Sequence, residues 1–569
     1  MTKNQNGFLL ALIAILVFIA YYPALAAPFY LDDFESISQN LIIQNGELIS
    51  ILEVYGFRFI TYLSFKLNYL VSGLEVFGFH ITNILTHVLT SISVYFLIYQ
   101  VTRSINFESS DKGLVYFSLI VSALYALHPI NSQAVIYIVQ RAALFAALFY
   151  ILSVLFYLRF RLANSRKLLY LSLFLLCFCL ALFSKQNTVT IPFVLVACEL
   201  FLIRKIKTKI WWLILFSVSL LIFTCLLFEP NLLTSLDKAT RETQDLSRLA
   251  YLKQQFVIIW IYVSKAIVPW QLRLEYPYTI DSFSTLVTSV SALAHCCVIL
   301  FALYIRKRHS FVTFFVAFFY ISMSVESSII PIRDLAFEHR IYLPSVAIYA
   351  LSVYAVYLLI LRFNLYYRVA PQTIMFLSFI LLTLLTVGTF QRASLWQDKE
   401  AFYKNEIAMF PSSSRLYTNL ATYYISKDSK VSAAEMYLKA FELSIENEAI
   451  SPELLSNVIA IYIDTNNIRE AGRIYQLYLP KIKDRHTRSN ILLNFGVAFM
   501  RLGNPSEAEK FLIASINNNP QNVKSYVELG RSYAREGRYK DARQLVNKAL
   551  ALSPSEAAAI RLSNQLKPY

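Results

Sequence analysis

The chain has few of the residues that dominate the surfaces of soluble enzymes. Only 15% of its 569 residues are charged, whereas 57% are hydrophobic. The mean hydropathy of +0.51 excludes an ordinary soluble enzyme and is typical of membrane proteins. A formal net charge of +16 would suggest a nucleic-acid partner in a soluble protein, but here the basic residues cluster in short loops between apolar runs. Membrane topology explains that placement better, so we expect no nucleic-acid partner.

Several chemical signatures are also missing. The sequence contains no G-x-x-x-x-G-K-[ST], G-x-G-x-x-G or H-E-x-x-H motif, so nucleotide-driven and zinc-hydrolase chemistry lack support. The six cysteines lie inside apolar runs without zinc-ligand spacing to histidines, which argues against a disulfide framework or a zinc site. We therefore expect no metal site built by the protein, although use of a divalent cation stays open.

Long apolar runs fill residues 1–390 and predict an all-α, polytopic membrane domain. Eleven runs are each close to the roughly 20 residues that cross the hydrocarbon. The first could be mistaken for a cleaved signal peptide, but we interpret it as a retained anchor because it positions the acidic pair described below. The predicted helices lie at about 8–25, 79–102, 114–128, 141–160, 168–184, 187–203, 210–228, 284–305, 311–330, 341–361 and 370–390.

Loop charges predict the orientation of these helices. Four loops are basic and lack acidic residues, which by the positive-inside bias places them in the cytoplasm. If 251–270 crossed the membrane, the basic loops at 204–209 and 306–308 would lie on opposite sides of it. We therefore predict that this segment is re-entrant or lies in the interface. The longer loops 26–78 and 229–283, with the short 331–340, then face outward, where binding and catalysis are expected. The basic loops carry Arg159, Arg161, Arg166 and Lys167; Arg204, Lys205, Lys207 and Lys209; Arg306, Lys307 and Arg308; and Arg362 and Arg368.

The composition changes after Trp396, where the sequence repeats with a period of about 34 residues. Small residues at fixed offsets allow two antiparallel helices to approach closely and the next pair to stack on them. We predict a linker at 391–413 and a tetratricopeptide-repeat unit at 414–569, with about four repeats at 414–555 and a capping segment. Such an array is expected to bind a protein partner, but the repeats do not identify that partner. The clearest correspondence is Gly496, Ala508, Ser515 and Pro520 with Gly530, Ala542, Ala549 and Pro554.

Two acidic residues, Asp32 and Asp33, stand just beyond the first apolar run. A carboxylate in the first outer loop can act as a general base on a hydroxyl nucleophile or hold a cation. The alternative is a solvated helix end at which Asp33 caps the next turn. The surrounding pattern of polar residues favours the catalytic interpretation.

Further polar residues predict a substrate pocket. His80, Asn83 and His87 are spaced by three and four, so they share one helix face, and polar groups in a membrane usually face a cavity or a partner. Hydrogen bonding between helices is the alternative. Metal binding by His80 and His87 is disfavoured because they lie two turns apart. Arg58 and His128, which flank neighbouring outer segments, are assigned to the same pocket.

Three cations are predicted near the outer surface: Arg141, Lys185 and Arg340, with His339 beside the last. Together they can converge on a phosphate or diphosphate. Each alone could equally extend to the lipid headgroups. Because this face carries fewer positive residues than the other, we favour an anionic ligand.

In sequence order these features resemble one family. They are the acidic pair, Arg58 with Thr61 and Phe65, Gly-Phe-His-x-x-Asn-x-x-x-His, His128-Pro129 with Arg141, Ser-Lys-Gln, Glu-His-Arg-x-Tyr-Leu-Pro-Ser and the repeats. The chain resembles the transmembrane-and-tetratricopeptide-repeat protein O-mannosyltransferases and their bacterial relatives, in the GT-C glycosyltransferase superfamily. It departs from their pattern at Gln186, where glutamate is frequent, at Gln140, where glycine is usual, and at Phe59, where proline is common.

The resemblance implies an inverting transfer of mannose or a similar hexose from a polyprenyl-phosphate carrier to a hydroxyl of a protein acceptor outside the cytoplasm. It implies Asp33, with Asp32 beside it, as the catalytic base, and Arg141, Lys185, His339 and Arg340 as ligands of the leaving phosphate. The repeats would hold the acceptor, and a bacterial inner membrane is the expected location. The alternatives are a transferase that modifies lipid or polysaccharide, and a non-catalytic scaffold that displays the repeats.

Overall fold

The structure, a computed structural model, describes residues 3–203, 247–363 and 371–567 except 106, 108, 277, 333, 447–451, 466, 479–483 and 554–555. Every regular element within these residues is helical, which confirms the predicted all-α class. The chain divides into two compact units, Met1–Asp398 and Lys399–Tyr569.

The first unit is a bundle of apolar helices joined by short 3₁₀ and π turns. Eight of its described helices are long and apolar enough to cross a membrane, or nine if a pair bent by 50° at His128 counts as one span. The α-helices are α1 Lys3–Tyr21, α2 Leu41–Asn45, α3 Leu48–Tyr55, α4 Phe59–Ser72, α5 Val76–Ser104, α6 Asp111–Leu127, α7 Ser132–Ile136, α8 Arg141–Leu162, α9 Lys167–Leu182, α10 Ile191–Ala197, α11 Arg248–Ile267, α12 Thr285–Tyr304, α13 Ser310–Met323, α14 Ser345–Arg362 and α15 Pro371–Leu395.

The membrane helices follow the predicted runs with several differences. The run predicted at 210–228 and the basic loop at 204–209 lie outside the described residues. The runs at 168–184 and 311–330 form shorter apolar helices, α9 and α13, and the second of these ends at Met323 before a serine-rich turn. The number of crossings therefore stays a prediction.

Two segments correct the sequence interpretation. The predicted outer loop 26–78 contains α3 and α4, which together are 25 residues long and apolar enough to span a membrane. Much of their apolar surface faces outward, as at Val71, which is 87% exposed. Most of the segment 251–270 belongs to one helix, α11, which is capped by Ser247 and ends at Ile267, and a helix without a break does not fit a re-entrant hairpin. An interfacial position for α11 remains a prediction.

The chain around the candidate site turns sharply where helices cannot continue. After α1, a 3₁₀ turn over Tyr22–Ala26 leads into the acidic loop, whose Phe34–Ser38 is π-helical. The helix α6 ends at Leu127 because His128 is extended and Pro129 has no N–H to continue the ladder. Two 3₁₀ turns and the short α7 then lead to α8. We call residues 128–140 the bridging segment.

The second unit is a stack of antiparallel helix pairs, as the period predicts. Ala433, Ala471, Ala508 and Ala542 are fully buried where the helices of each pair meet. A Cβ at Gly496 would lie 2.6 Å from Leu512 Cγ, so only glycine fits this crossing without a shift. The pairs are α17 Ser414–Ser426 with α18 Lys430–Glu446, α19 Pro452–Asp464 with α20 Ile468–Tyr478, α21 Arg485–Arg501 with α22 Pro505–Asn518, and α23 Val523–Arg535 with α24 Tyr539–Leu552; α16 Lys399–Met409 precedes them and α25 Ala557–Leu566 follows.

The segment predicted as a linker, 391–413, is mostly helical. The helix α15 continues to Leu395, and α16 begins at Lys399. Glu400 and Lys404 stabilise α16 as an i,i+4 pair with a 2.7 Å contact. The two compact units therefore meet in sequence at Asp398 rather than within a long irregular stretch.

Candidate active site

The two acidic residues differ in their accessibility. Asp33 is 1% exposed, and its carboxylate accepts hydrogen bonds from the backbone N–H of Val139 at 2.7 Å and of Tyr30 at 3.0 Å. Asp32 is exposed, and its own N–H donates to the Tyr137 hydroxyl at 2.9 Å. The acidic loop is thus bound to the bridging segment through both residues. Only Asp32 presents its carboxylate to a solute.

The protonation of Asp33 is set by its burial. Desolvation raises the pKa of the Asp33 carboxyl from 3.8 to about 7, and the negative charge of Asp32 adds to this. The N–H groups of Tyr30 and Val139 act in the opposite direction because they stabilise the carboxylate. Asp33 is therefore partly protonated near neutral pH.

The far side of the acidic loop rests on the end of α15. The Tyr30 hydroxyl donates to the carbonyl of Trp396 at 2.7 Å, and the two rings lie edge to face with centroids 5.0 Å apart. The Tyr137 ring stacks on the same indole at 6.4 Å. Trp396 is fully buried, so it supports the loop and the bridging segment together.

Arg141 is fully buried and surrounded by neutral acceptors. Its Nε donates to Asn83 Oδ1 at 2.7 Å, and its Nη2 donates to the Phe79 carbonyl at 2.8 Å. Its Nη1 donates to Ser64 Oγ at 3.0 Å and to Asn68 Oδ1 at 2.5 Å. These bonds join α4, α5 and α8. In this arrangement Arg141 is buried rather than at the surface, and its charge lies within electrostatic range of Asp33; a phosphate contact of Arg141 stays a prediction.

The polar residues predicted to line a substrate pocket form hydrogen bonds with neighbouring segments, and their part in a pocket stays a prediction. The His87 ring pairs with the Tyr342 hydroxyl at 2.7 Å and the Ala126 carbonyl at 2.9 Å. These contacts favour the alternative of hydrogen bonding between helices. The other pairs are His80 Nε2 with the Ala27 carbonyl at 2.8 Å, Asn83 Nδ2 with the Val135 carbonyl at 3.0 Å, and the Ile130 N–H with His128 Nδ1 at 3.2 Å.

Three cations lie within electrostatic range of His339. Burial, and then the charges of Lys185, Arg340 and Arg58, lower the pKa of His339 well below its usual value, so the ring is neutral. Lys185 Nζ contacts Glu326 Oε1 at 2.5 Å. We call Arg58, Lys185, His339 and Arg340 the basic cluster. Of the three cations predicted to converge, Lys185 and Arg340 belong to it, Arg58 takes the place of Arg141, and Glu326 was not predicted.

The cations of the basic cluster are held to different degrees. Arg340 is buried, and it donates to the backbone carbonyls of Leu335 at 3.0 Å and Asp334 at 2.7 Å. Arg58 is exposed, and its Nε contacts Gln186 Oε1 at 3.4 Å. Arg58 is therefore free to move toward an arriving ligand, whereas Arg340 provides a fixed charge.

The bridging segment connects the acidic loop with the basic cluster. Gln133 is fully buried, and its Oε1 accepts from the His339 backbone N–H at 2.9 Å while its Nε2 donates to the Leu274 carbonyl at 3.0 Å. Val139 and Tyr137, a few residues later, hold the acidic pair. Sequence reasoning missed all three residues, and the only signal was a proline followed by amide side chains within an apolar region.

Comparisons with known proteins agree with the fold. Residues 493–557 match the tetratricopeptide repeat family. The protein O-mannosyl-transferase F38B6.6 of Caenorhabditis elegans is 24% identical over 444 residues, which cover 74% of this chain and 60% of that protein. Human protein O-mannosyl-transferase TMTC4 is 31% identical over 156 residues, 24% of this chain and 21% of that protein. The resemblance to this family is confirmed.

The likeness to this family extends beyond the repeats, because the match to the nematode protein is longer than the whole second unit. The chain spans 60% of the length of that relative and less of the human one. Among solved structures, the tetratricopeptide-repeat protein YrrB is 18% identical and covers 32% of this chain and 87% of its own, with a TM-score of 0.24. That score is too low for a comparison of the folds.

Proposed function

We propose that the chain is an integral membrane glycosyltransferase. It moves mannose or a similar hexose from a polyprenyl-phosphate carrier to a hydroxyl of a protein acceptor on the extracytoplasmic side. The names of the relatives support the sugar and the acceptor class. The observation that carries the proposal is that one buried segment, residues 128–140, holds an acidic pair and also contacts a basic cluster. Glycosyl transfer from a phosphate needs a base for the nucleophile and cations for the leaving group.

Asp32 is the better candidate for the base, although the resemblance favoured Asp33. A base must come within hydrogen-bond reach of the acceptor hydroxyl, and only Asp32 is exposed. Asp32 takes the hydroxyl proton as the acceptor oxygen forms a bond with the anomeric carbon. The bond from that carbon to the phosphate oxygen breaks, and its electrons leave with the lipid phosphate, so the anomeric configuration inverts. Asp33 positions the loop through its two backbone bonds.

The basic cluster supplies charge for the leaving lipid phosphate. Arg340 is fixed by backbone carbonyls, and Lys185 is paired with a single carboxylate, Glu326. A phosphate arriving here competes with Glu326 for the ammonium group, so the cluster can exchange one anion for another. Arg58, which is exposed, moves in from the surface to contact the same phosphate. Because Arg141 is hydrogen-bonded to neutral acceptors, we assign it a structural role in holding the helices together rather than a role in binding the phosphate.

The proposed sidedness is supported by loop charges in the first unit, and the proposed acceptor site by a groove in the second unit. Basic residues in the loop after α8 support a cytoplasmic position for that loop and an outer position for the acidic loop. The second unit has a groove of about 520 Å³ between α19, α21 and α23, lined by apolar residues and by charges of both signs such as Asp464 and Arg501. An extended stretch of acceptor fits such a groove. A bacterial inner membrane agrees with the short loops.

The deciding experiment compares Asp32→Asn with Glu35→Gln in the full-length protein. Both side chains are exposed in the same loop, but only Asp32 is assigned a catalytic role. The proteins are placed in lipid nanodiscs and supplied with polyprenyl-phosphate mannose labelled in the sugar, together with acceptor proteins from the host membrane. We expect Asp32→Asn to lose roughly 100-fold or more of the transfer rate at unchanged thermal stability, because the amide cannot accept the proton. Glu35→Gln should stay near the wild-type rate.

The same assay separates the alternatives. Equal rates for Asp32→Asn and the wild type would contradict the assignment of the base. Label that appears in lipid or polysaccharide rather than protein would favour the other class of transferase. A wild-type protein that transfers none of a panel of polyprenyl-phosphate sugars, while its repeats still capture a partner, would favour the scaffold.

A further inference from the structure

A group of buried polar atoms lies below the candidate active site. It consists of the hydroxyls of Tyr21, Tyr125 and Tyr349 and the Nε2 atom of His128, and we call it the tyrosine–histidine cluster. Each of these four residues is at most 3% exposed. Among the residues that the structure describes, none of the four atoms has a hydrogen-bonding partner.

The four residues are close to one another although they come from three helices and a turn. The His128 ring centroid lies 5.3 Å from that of Tyr349, and the Tyr125 ring lies 6.5 Å from it. The Tyr21 hydroxyl is within electrostatic range of those of Tyr125 and Tyr349. The unsatisfied atoms therefore share one buried region.

The neighbouring polar groups satisfy the cluster only in part: the Tyr342 hydroxyl is a weak partner of Tyr125 and Ser345 is a weak partner of Tyr349. His87 lies between Tyr21 and Tyr125, with ring centroids 5.4 and 5.7 Å away, but both of its nitrogens are already used. The Tyr342 hydroxyl is one of its partners. None of the four atoms has a partner with full hydrogen-bonding geometry in the described residues, and the weak contacts of Tyr125 and Tyr349 leave donor and acceptor capacity unused. This unused capacity argues for a ligand at that place.

The chemistry of the four atoms identifies the ligand class. Folded proteins satisfy nearly all buried polar groups, either internally or with ordered water. Phenol hydroxyls both donate and accept, and a neutral imidazole nitrogen does either according to its tautomer. The cluster contains no carboxylate to attract a cation and no cationic group to attract an anion. We propose that the tyrosine–histidine cluster binds internal water, which can donate and accept in the same site.

The position of the cluster gives this water a structural role. Tyr21 ends α1, which the 3₁₀ turn over Tyr22–Ala26 joins to the acidic loop, and His128 begins the bridging segment. Tyr349 lies in α14, which follows His339 and Arg340 of the basic cluster. Water shared by these three elements fixes the parts of the candidate site relative to one another. The hydration itself does not depend on the proposed transferase activity.

Radiolytic footprinting tests the proposal on the full-length wild-type protein in lipid nanodiscs. Brief X-ray exposure turns water into hydroxyl radicals, which oxidise side chains next to bound water even where bulk solvent cannot reach. Tyr150 is the matched control, since it is equally buried and its hydroxyl pairs with Thr190 Oγ1 at 3.0 Å. We expect Tyr125 and Tyr349 to be oxidised several-fold faster than Tyr150. Rates no higher than that of Tyr150 would overturn the proposal.

A pair of variants gives a second test. If Tyr349 binds water, Tyr349→Phe removes hydrogen bonds and lowers the thermal unfolding midpoint, and Tyr125→Phe does the same. The double variant should lose less than the sum of the single losses, because the two hydroxyls share the same water. In a dry cluster each substitution removes an unpaired hydroxyl, so an unchanged or raised midpoint would count against bound water. The footprinting result stands even if a variant fails to fold.

Discussion

Replacing Arg141 with lysine separates a supporting role from phosphate binding. The substitution keeps the positive charge but removes the planar fork that donates to four acceptors on two helices. A phosphate ligand would tolerate this change in part, since lysine also binds phosphate. A buried arginine that joins two helices would not tolerate the change, because the ammonium group of lysine has only three donors on one atom.

The expected loss follows from the bonds of Arg141. We expect two of the acceptors, Asn83 Oδ1 and the Phe79 carbonyl, to lose their donor, and both of these are buried. Each buried acceptor without a partner costs about 1–3 kcal/mol. We therefore expect Arg141→Lys to destabilise the membrane unit by about 2–5 kcal/mol. In a unit of this size that corresponds to a fall of roughly 2–6 °C in the melting midpoint.

The assay is thermal unfolding of the full-length protein in detergent, followed by size-exclusion chromatography. Arg58→Lys is the matched control because Arg58 is exposed and makes one long contact, at 3.4 Å, with Gln186. We expect the control to melt within about 1 °C of the wild type, as surface substitutions usually do.

The opposite pattern would refute this reasoning. If Arg141→Lys melts like the wild type but needs more lipid-linked sugar for half-maximal rate, Arg141 contacts the donor phosphate in the working enzyme. The structure would then represent a state in which the arginine has turned inward to Asn83 and Ser64.

Two further predictions concern the acidic loop and the repeats. The pKa of Asp33 is raised from 3.8 to about 7 in the folded protein, so its contribution to stability is fully present below about pH 4 and is lost as pH rises through about 7. Melting midpoints measured across this window should therefore fall toward neutral pH in the wild type and fall less in Asp33→Asn, and equal slopes would contradict the raised pKa. In the repeats, Gly496→Ala forces a Cβ to within 2.6 Å of Leu512 Cγ, which should cost about 1–3 kcal/mol and speed hydrogen exchange in α21 and α22. Gly530→Ala meets its nearest atoms at 3.4 Å and should leave exchange in α23 and α24 unchanged or slower; similar effects of the two substitutions would refute this account of the helix crossings.

The features that sequence predicted well are those that depend on local spacing. The buried alanines of the repeats follow from a 34-residue period, because each repeat is one supersecondary unit. The membrane helices follow from the length of apolar runs. The helices α3 and α4 were missed because they are interrupted at Gly56 and their apolar surface is less continuous. The resemblance itself depended on short motifs in a fixed order, and the comparisons bear it out.

The features that sequence could not predict depend on contacts between distant residues. Arg141 was assigned to a phosphate because its acceptors, Asn68 and Asn83, are far from it in sequence and are themselves unremarkable polar residues. The different exposure of the acidic pair is a property of backbone conformation, since Leu31 adopts a φ of 41°, which is rare for leucine and turns the following residues. No pattern of residue types in this segment predicts such a turn.

The contact between Tyr30 and the end of α15 determines where the chain can be shortened. A truncation at residue 390, the end of the predicted eleventh span, would discard the Trp396 carbonyl that receives the Tyr30 hydroxyl and the indole that supports Tyr137. An inactive fragment of that length would therefore say nothing about whether the repeats are needed for catalysis. A fragment that ends at Asp398 keeps these contacts, and it is the proper starting point for dissecting the two units.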